Sequence, residues 1–250
     1  MKLFCMGILA LALSACATTQ QTGTVNPQDP YENINRKVFA FNGGVSKYAL
    51  IPVAKTYETV TPEFARDRVG DTLSNLSSPV TFANDVLQAK PARASDTLFR
   101  FLINTTVGVG GLWDAADYFG LPGHTEDFGQ TLGVWGIESG PYLVLPLLGP
   151  SNPRDLIGRG ADRALDPLNW TEFAGQPDLD DDIAMARAAL GGLNGSIVLA
   201  EQLEALNQQA EPYIAMRRIY MSQRDAAISD GKIDDESAFD DLPDFDEFVD

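Results

Sequence analysis

Asp29-Pro30-Tyr31-Glu32-Asn33-Ile34-Asn35-Arg36-Lys37-Val38-Phe39-Ala40-Phe41-Asn42 is the stretch whose periodicity decides the fold class. Tyr31, Ile34, Val38, Phe41, Val45 and Tyr48 follow one another at steps of three and four, while Glu32, Asn33, Asn35, Arg36 and Lys37 take the other side. That is the period of an amphipathic helix. Asp29 suits its cap and Pro30 its first turn, and the Gly43-Gly44 pair predicts a weak or bent point. The pattern recurs along the chain. Thr61-Pro62-Glu63 opens a second helix, Ser78-Pro79 a third reaching about Lys90, and a fourth runs from about Ala92 to Thr106. Leu199, Leu203, Leu206, Ala210 and Tyr213 mark a later one, kinked or restarted by Pro212. Alternating strand patterns and internal repeats are absent. The expected class is all-α.

The chain begins with a basic Met1-Lys2, an apolar run from Leu3 to Leu13, and Leu13-Ser14-Ala15-Cys16. This is the pattern of a bacterial lipoprotein signal, and the run is shorter than the roughly 20 apolar residues of a membrane span. Cleavage would leave a lipidated Cys16. Several acyl chains on one residue anchor firmly, since each buried methylene contributes about 0.8 kcal/mol. Ala17, rather than an aspartate, follows the cysteine, which points to the outer membrane. The expected division is a signal peptide at 1–15, a lipidated linker at 16–28, a helical domain at 29–224 and an acidic tail at 225–250.

Cys5 lies in the cleaved segment, so the mature chain has no thiol pair to oxidise. The formal charge of -17 argues against a nucleic-acid partner, because phosphate binding needs a basic face. Asp225 to Asp250 carries eleven acidic residues against Lys232 alone, a net of -10. Such composition suits a solvated, disordered end. With Phe239, Phe245 and Phe248 spaced among the acids, it equally suits a docking tail for a basic partner.

Two runs do not read like a soluble bundle. Phe101–Trp113 has thirteen residues without a charge, and Ser139–Pro153 has fifteen, centred on Tyr142-Leu143-Val144-Leu145-Pro146-Leu147-Leu148. A buried core loop and a membrane contact both fit. Trp113, Trp135 and Tyr142 favour the interface, where amphipathic rings sit well. Tyr142, Leu143, Val144, Leu145, Leu147 and Leu148, with Trp113, are the expected membrane contacts.

Enzyme chemistry finds little support. His124 is the only histidine and no Gly-x-Ser-x-Gly elbow occurs, although Gly149-Pro150-Ser151-Asn152-Pro153 begins like one. Ser151 could serve a hydrolase only if His124 lay within reach. Gly108–Gly111 lacks the third glycine of a dinucleotide loop, and Asp178–Asp182 lacks the glycine and distal glutamate of a calcium loop. No cofactor and no metal are expected.

Several blocks, taken in order, resemble the MlaA (also called VacJ) lipoproteins. They are Asp29–Arg36 with Phe39–Asn42; Arg100–Gly108 with Gly110-Gly111; His124–Gly133; and Gly140-Pro141-Tyr142, Leu145-Pro146 and Arg154-Asp155. They cover roughly residues 29 to 222. The resemblance implies a ring-like, membrane-embedded bundle of amphipathic helices with a central amphipathic channel. It also implies retrograde transport: mislocalised phospholipids leave the outer leaflet and pass to a soluble periplasmic carrier, with a trimeric outer-membrane porin as partner. A head group needs amides and hydroxyls, and acyl tails need apolar walls. Asn35, Phe39, Phe41, Asn42, Gly43, Gly44, Asn104, Thr105 and Gly108 are the expected channel or gate residues on that ground. An adaptor that organises porins without moving lipid is the alternative.

Overall fold

The computed structural model describes residues 29–169 and 179–231. Helix α1 spans Glu32–Val45 and passes through a π-helical turn, Ser46–Leu50, into α2, Ile51–Val60. The Gly43-Gly44 pair therefore does not break the helix. The irregularity comes from Pro52, which has no N–H and whose ring crowds the carbonyl four residues back. Widening the turn so that the Ile51 N–H reaches the Ser46 carbonyl gives that ring room.

Helix α3 is continuous from Glu63 to Leu87 with Pro79 inside it. Ser78-Pro79 was expected to start a helix, and it does not. The hydroxyls of Ser77 and Ser78 bond the carbonyls of Leu73 and Ser74 beside the proline, and packing against α4 on one side carries the helix past it. Helix α4 spans Pro91–Thr106, α5 Phe128–Val134 and α6 Pro153–Leu165. Helix α7 runs Leu179–Leu206 and α8 Pro212–Ile228. Asp127 and Asn152 cap α5 and α6 by accepting the Gln130 and Asp155 N–H groups.

One small sheet interrupts the helices, where no strand was expected. Strands β1 (Leu143–Leu145) and β2 (Gly149–Ser151) pair antiparallel, with Leu143 opposite Ser151 and Leu145 opposite Gly149. The elements pack in a closed circuit: α2 against α7, α7 against α3, α3 against α5, α5 against α8, α8 against β2, and β1 against α1. The arrangement is a helical ring. Helix α8 continues to Ile228, and Asp230 accepts from Lys90 and Arg93, so the folded body extends beyond residue 224. The acidic stretch from 232 and Cys16, the expected lipidation site, lie outside the described residues.

Burial runs opposite to a soluble bundle. Asn75, Asn84, Asp85, Gln88, Asn104 and Gln130 are buried, while Phe41, Tyr48, Phe64, Phe99, Val107 and Phe119 are exposed. Helix α4 shows it within one element: Thr97 and Asn104 face inward, and Leu98, Phe99 and Leu102 face out. Large exposed apolar surface on a folded chain marks a membrane or partner face. Helix α7 is long and apolar enough, from Asp182 to Leu206, to cross a membrane by length and composition, and only 11% of that window is buried.

Candidate functional site

Helix α3 carries Arg66, Gly70, Ser74, Ser77 and Thr81 at steps of three and four, which puts them on one face. Three cavities open along that face. The largest, about 680 Å³, lies at its N-terminal end between α3, the 113–118 segment and Asn194, Ile197 and Val198 of α7. The second, about 250 Å³, is bounded by Ser74, Ser77 and Ser78 of α3, Thr97 and Arg100 of α4, and the 123–125 segment. The third, about 380 Å³, reaches Asp162 and Arg163 of α6 and Ala184 and Arg187 of α7. The second and third share Ser77, Thr81 and Thr125. Hydroxyls and charges therefore line a track whose outer walls are apolar.

The approach of α7 to α3 depends on small residues. A methyl group on Gly70 would lie 3.2 Å from the Asn194 amide, so the helices meet closely at the largest cavity. Gly108 is tighter. A Cβ there would sit 2.2 Å from the Trp113 carbonyl oxygen, so only glycine permits the turn that leads to Trp113.

The residues expected to line a channel have other tasks. Asn35 is buried, donates to Asp29 Oδ1 at 2.8 Å and to the Tyr142 carbonyl at 2.9 Å, and accepts the Val144 N–H at 2.9 Å. Asn42, two turns on, donates to the Leu145 carbonyl at 2.9 Å and accepts the Leu147 N–H at 2.8 Å. Two amides a heptad apart thus pair with the hairpin backbone as a neighbouring strand would. Leu147 is held there at φ +64, a left-handed conformation that costs a non-glycine residue about 1–3 kcal/mol. Phe39 packs on the Tyr142–Val144–Tyr213 cluster and meets the Tyr213 ring edge-on at 5.8 Å. Phe41 is exposed, and Gly43 and Gly44 have open space around them.

Asn104 bonds Asp114 and the Ala116 N–H, fixing the loop after α4, and Thr105 accepts from Asn75 at 3.1 Å. None of these nine positions lines the three cavities. Asn35, Asn42, Asn104 and Thr105 each hydrogen-bond to backbone or side chains of the protein itself. The signal missed was the polar stripe of α3, legible at three- and four-residue spacing.

The hairpin divides the expected membrane contacts. Leu147 and Leu148 project at its tip, 69% and 64% exposed, and Leu143 and Leu145 are half-buried. Tyr142 and Val144 are buried against Tyr213, which corrects the expectation that they face lipid. Strand alternation is the reason, because successive side chains point to opposite faces. Trp113 is partly exposed and lines the largest cavity, and Trp135 is exposed with its indole N–H on the Leu87 carbonyl at 3.0 Å.

Two ionic networks fix the ring, one of them beside Asp162 of the third cavity. Asp29 accepts from Arg217 at 3.0 Å and from the Tyr213 hydroxyl. Arg224 grips Asp127 through both terminal nitrogens, at 2.6 and 2.9 Å, and reaches Asp155 at 2.9 Å. Burial pushes the Asp127 carboxyl up, yet the hydrogen bonds and charge of Arg224 outweigh it and hold it below the ordinary aspartate range. A Cβ on Gly158 would lie 2.3 Å from the Gly129 nitrogen, so α5 and α6 cross almost backbone to backbone beside this network.

His124 meets Asp85 at 3.0 Å and Thr97 at 3.3 Å, and it makes no hydrogen bond with Ser151, which is buried in β2. The hydrolase geometry is therefore not assembled. Asp85, His124 and Glu126 bring possible ligand atoms within 4.8 Å of one another. Arg93 already stands 3.0 Å from Glu126 and 3.8 Å from Asp85, with Lys90 at 3.5 Å from Glu126. The carboxylates are balanced by those cations, and the chemistry fits a salt-bridge network.

Comparison with known proteins agrees with this architecture. The family model described as MlaA lipoprotein matches residues 27–227. The intermembrane phospholipid transport system lipoprotein MlaA of Haemophilus influenzae is 31% identical over 228 residues, 90% of this chain and 89% of that protein. Its namesake in Escherichia coli K12 is 30% identical over 235 residues, 91% and 88%. An uncharacterized protein of Rickettsia felis is 35% identical over 210 residues, 83% and 81%. A solved structure described as the structural basis for maintenance of bacterial outer membrane lipid asymmetry superposes with a TM-score of 0.70 at 31% identity, covering 80% of this chain and 98% of that one. With the family model matching residues 27–227, and relatives of this identity matched over most of their length, the chain belongs to the MlaA lipoprotein family.

Proposed function

We propose that this chain removes phospholipids from the outer leaflet of the outer membrane and passes them along the α3 track to a soluble periplasmic carrier. One observation carries the reading: polar side chains line adjoining cavities inside a ring whose outside is apolar. A head group can move along hydroxyls and charges while its tails face apolar surface, and the ring itself is solvated by acyl chains. An adaptor would need only the apolar exterior. A trimeric porin fits as the partner that holds the ring in place.

The test is transfer of labelled phospholipid from vesicles containing the protein to the carrier. Ser77→Trp puts an indole where the second and third cavities share their wall, so transfer should fall to the protein-free level while the protein still accumulates. Undiminished transfer through that variant would exclude the track as the route.

Anchoring has its own test. Cys16→Ala should leave a folded protein that fractionates away from the outer membrane, because each lost acyl methylene removes about 0.8 kcal/mol of membrane binding. Retention of that variant in the outer membrane would show that the apolar ring suffices as anchor.

A further inference from the structure

The largest cavity has a charge pattern that the conduit alone does not require. Its walls hold Arg66 and Arg68 against Glu63, Asp67, Asp71, Asp114 and Asp117, two cations and five carboxylates. Asp114 is engaged by Arg100 at 2.5 Å and by Asn104 at 2.9 Å. Arg68 is fixed differently. Its guanidinium lies over the Phe64 ring at 5.1 Å and the Trp113 ring at 5.7 Å. One terminal nitrogen is 2.9 Å from Asp71, and its buried Nε has no hydrogen-bond partner. Arg66 donates to the Glu58 backbone carbonyl at 3.4 Å and stands 3.9 Å from the Glu58 carboxylate. An arginine stacked on rings presents a pre-oriented fork of donors, the form suited to a phosphate.

We propose that this cavity is a head-group site selective for zwitterionic phospholipids over anionic ones. It rests on the conduit reading and adds the substrate class. Arg66 and Arg68 take the phosphate. Asp67 and Asp71, with the faces of Trp113 and Tyr118, take the ammonium, which carboxylates and aromatic rings both attract. The volume of about 680 Å³ falls within the roughly 300–1,000 Å³ of small-molecule sites. Burial, then the charges of Asp114 and Asp67, push Asp71 above its usual range despite Arg68. With five carboxylates against two cations in its walls, the surplus in the cavity is negative. A lipid head carrying only phosphate adds to that surplus, whereas a zwitterion brings its own cation to it.

The experiment equilibrates the purified protein, in a non-ionic detergent, with equimolar phosphatidylethanolamine and phosphatidylglycerol, and measures co-purifying lipid by mass spectrometry. The parent protein should retain the zwitterionic lipid about fivefold over the anionic one, the discrimination expected of partly solvated charge pairs. Asp67→Asn with Asp71→Asn should bring the ratio close to parity, and Arg68→Gln should lower retention of both lipids. Equal retention by the parent protein, which involves no substitution, overturns the proposal, as does selection unchanged by the paired variant. Selective retention without transfer to the carrier would sink the conduit and leave this site standing. Transfer without selection would do the reverse.

Discussion

Replacing Arg224 with methionine should destabilise the ring by about 3 kcal/mol or more, since a buried ion pair broken from one side leaves an uncompensated charge. Asp155 carries most of that cost: its side chain is 7% exposed, and Arg224 is its principal counter-charge. Asn152, Tyr220 and Arg154 would still contact it. The pH dependence separates this from a packing loss. In the parent protein, the Asp127 carboxyl titrates below its unfolded value, so its stabilisation is present above that value and is lost as pH falls through the depressed folded value. Without the guanidinium, Asp127 loses the interaction that holds it down and burial then pushes its carboxyl up, so its charged form is penalised at neutral pH. The deficit of Arg224→Met relative to the parent should therefore narrow as pH falls toward about 4. Chemical denaturation in a fixed detergent at two pH values measures it, and a pH-independent deficit would mean that methionine simply packs badly.

Asn35→Asp distinguishes a structural clamp from a channel-lining amide. The change keeps the shape and removes the two donated hydrogen bonds, to Asp29 and to the Tyr142 carbonyl. It also places a second carboxylate where 2.8 Å separates the amide from Asp29 Oδ1, at a site that is 2% exposed. Two carboxylates at that distance cannot both ionise without cost. We expect a loss of about 3–5 kcal/mol at neutral pH, the scale of an unpaired buried charge. One of the pair would be forced to hold a proton, with its folded value raised. That stability is present at low pH and is lost as pH rises through the raised value. The variant should therefore be firmer in acid, opposite to the parent's Asp127 behaviour. A change within about 0.5 kcal/mol, as at an exposed or water-lined position, would restore Asn35 to a channel wall.

Both predictions concern residues whose polarity was plain in the sequence and whose partners were not. The asparagines of α1 stood out against an apolar stripe, and a lipid track was one use for them. Their partner is a hairpin more than a hundred residues away, at Tyr142–Leu147, and nothing local to α1 specifies it. The fifteen uncharged residues around that hairpin were equally legible as unusual. Which of them face out depended on strand alternation and on Tyr213 and Phe39 closing over Tyr142 and Val144.

Local periodicity by itself determined that the chain is helical, where α4 begins, and that α4 carries an apolar face. These properties belong to residues three or four apart and need no distant partner. The cap expected at Asp29 is not formed, because α1 starts at Glu32 and Asp29 is bonded by Asn35, Tyr213 and Arg217. Motif order determined the family resemblance. Tertiary structure alone decided which face of each amphipathic helix is inside. The helical period has the same form whether the apolar side meets a core or a bilayer, so a stripe of Leu98, Phe99 and Leu102 reads identically in both. Only the closed circuit of α1, α2, α7, α3, α5, α8 and the hairpin turns the polar side of α3 inward onto the cavities. The same circuit leaves apolar side chains without a protein partner.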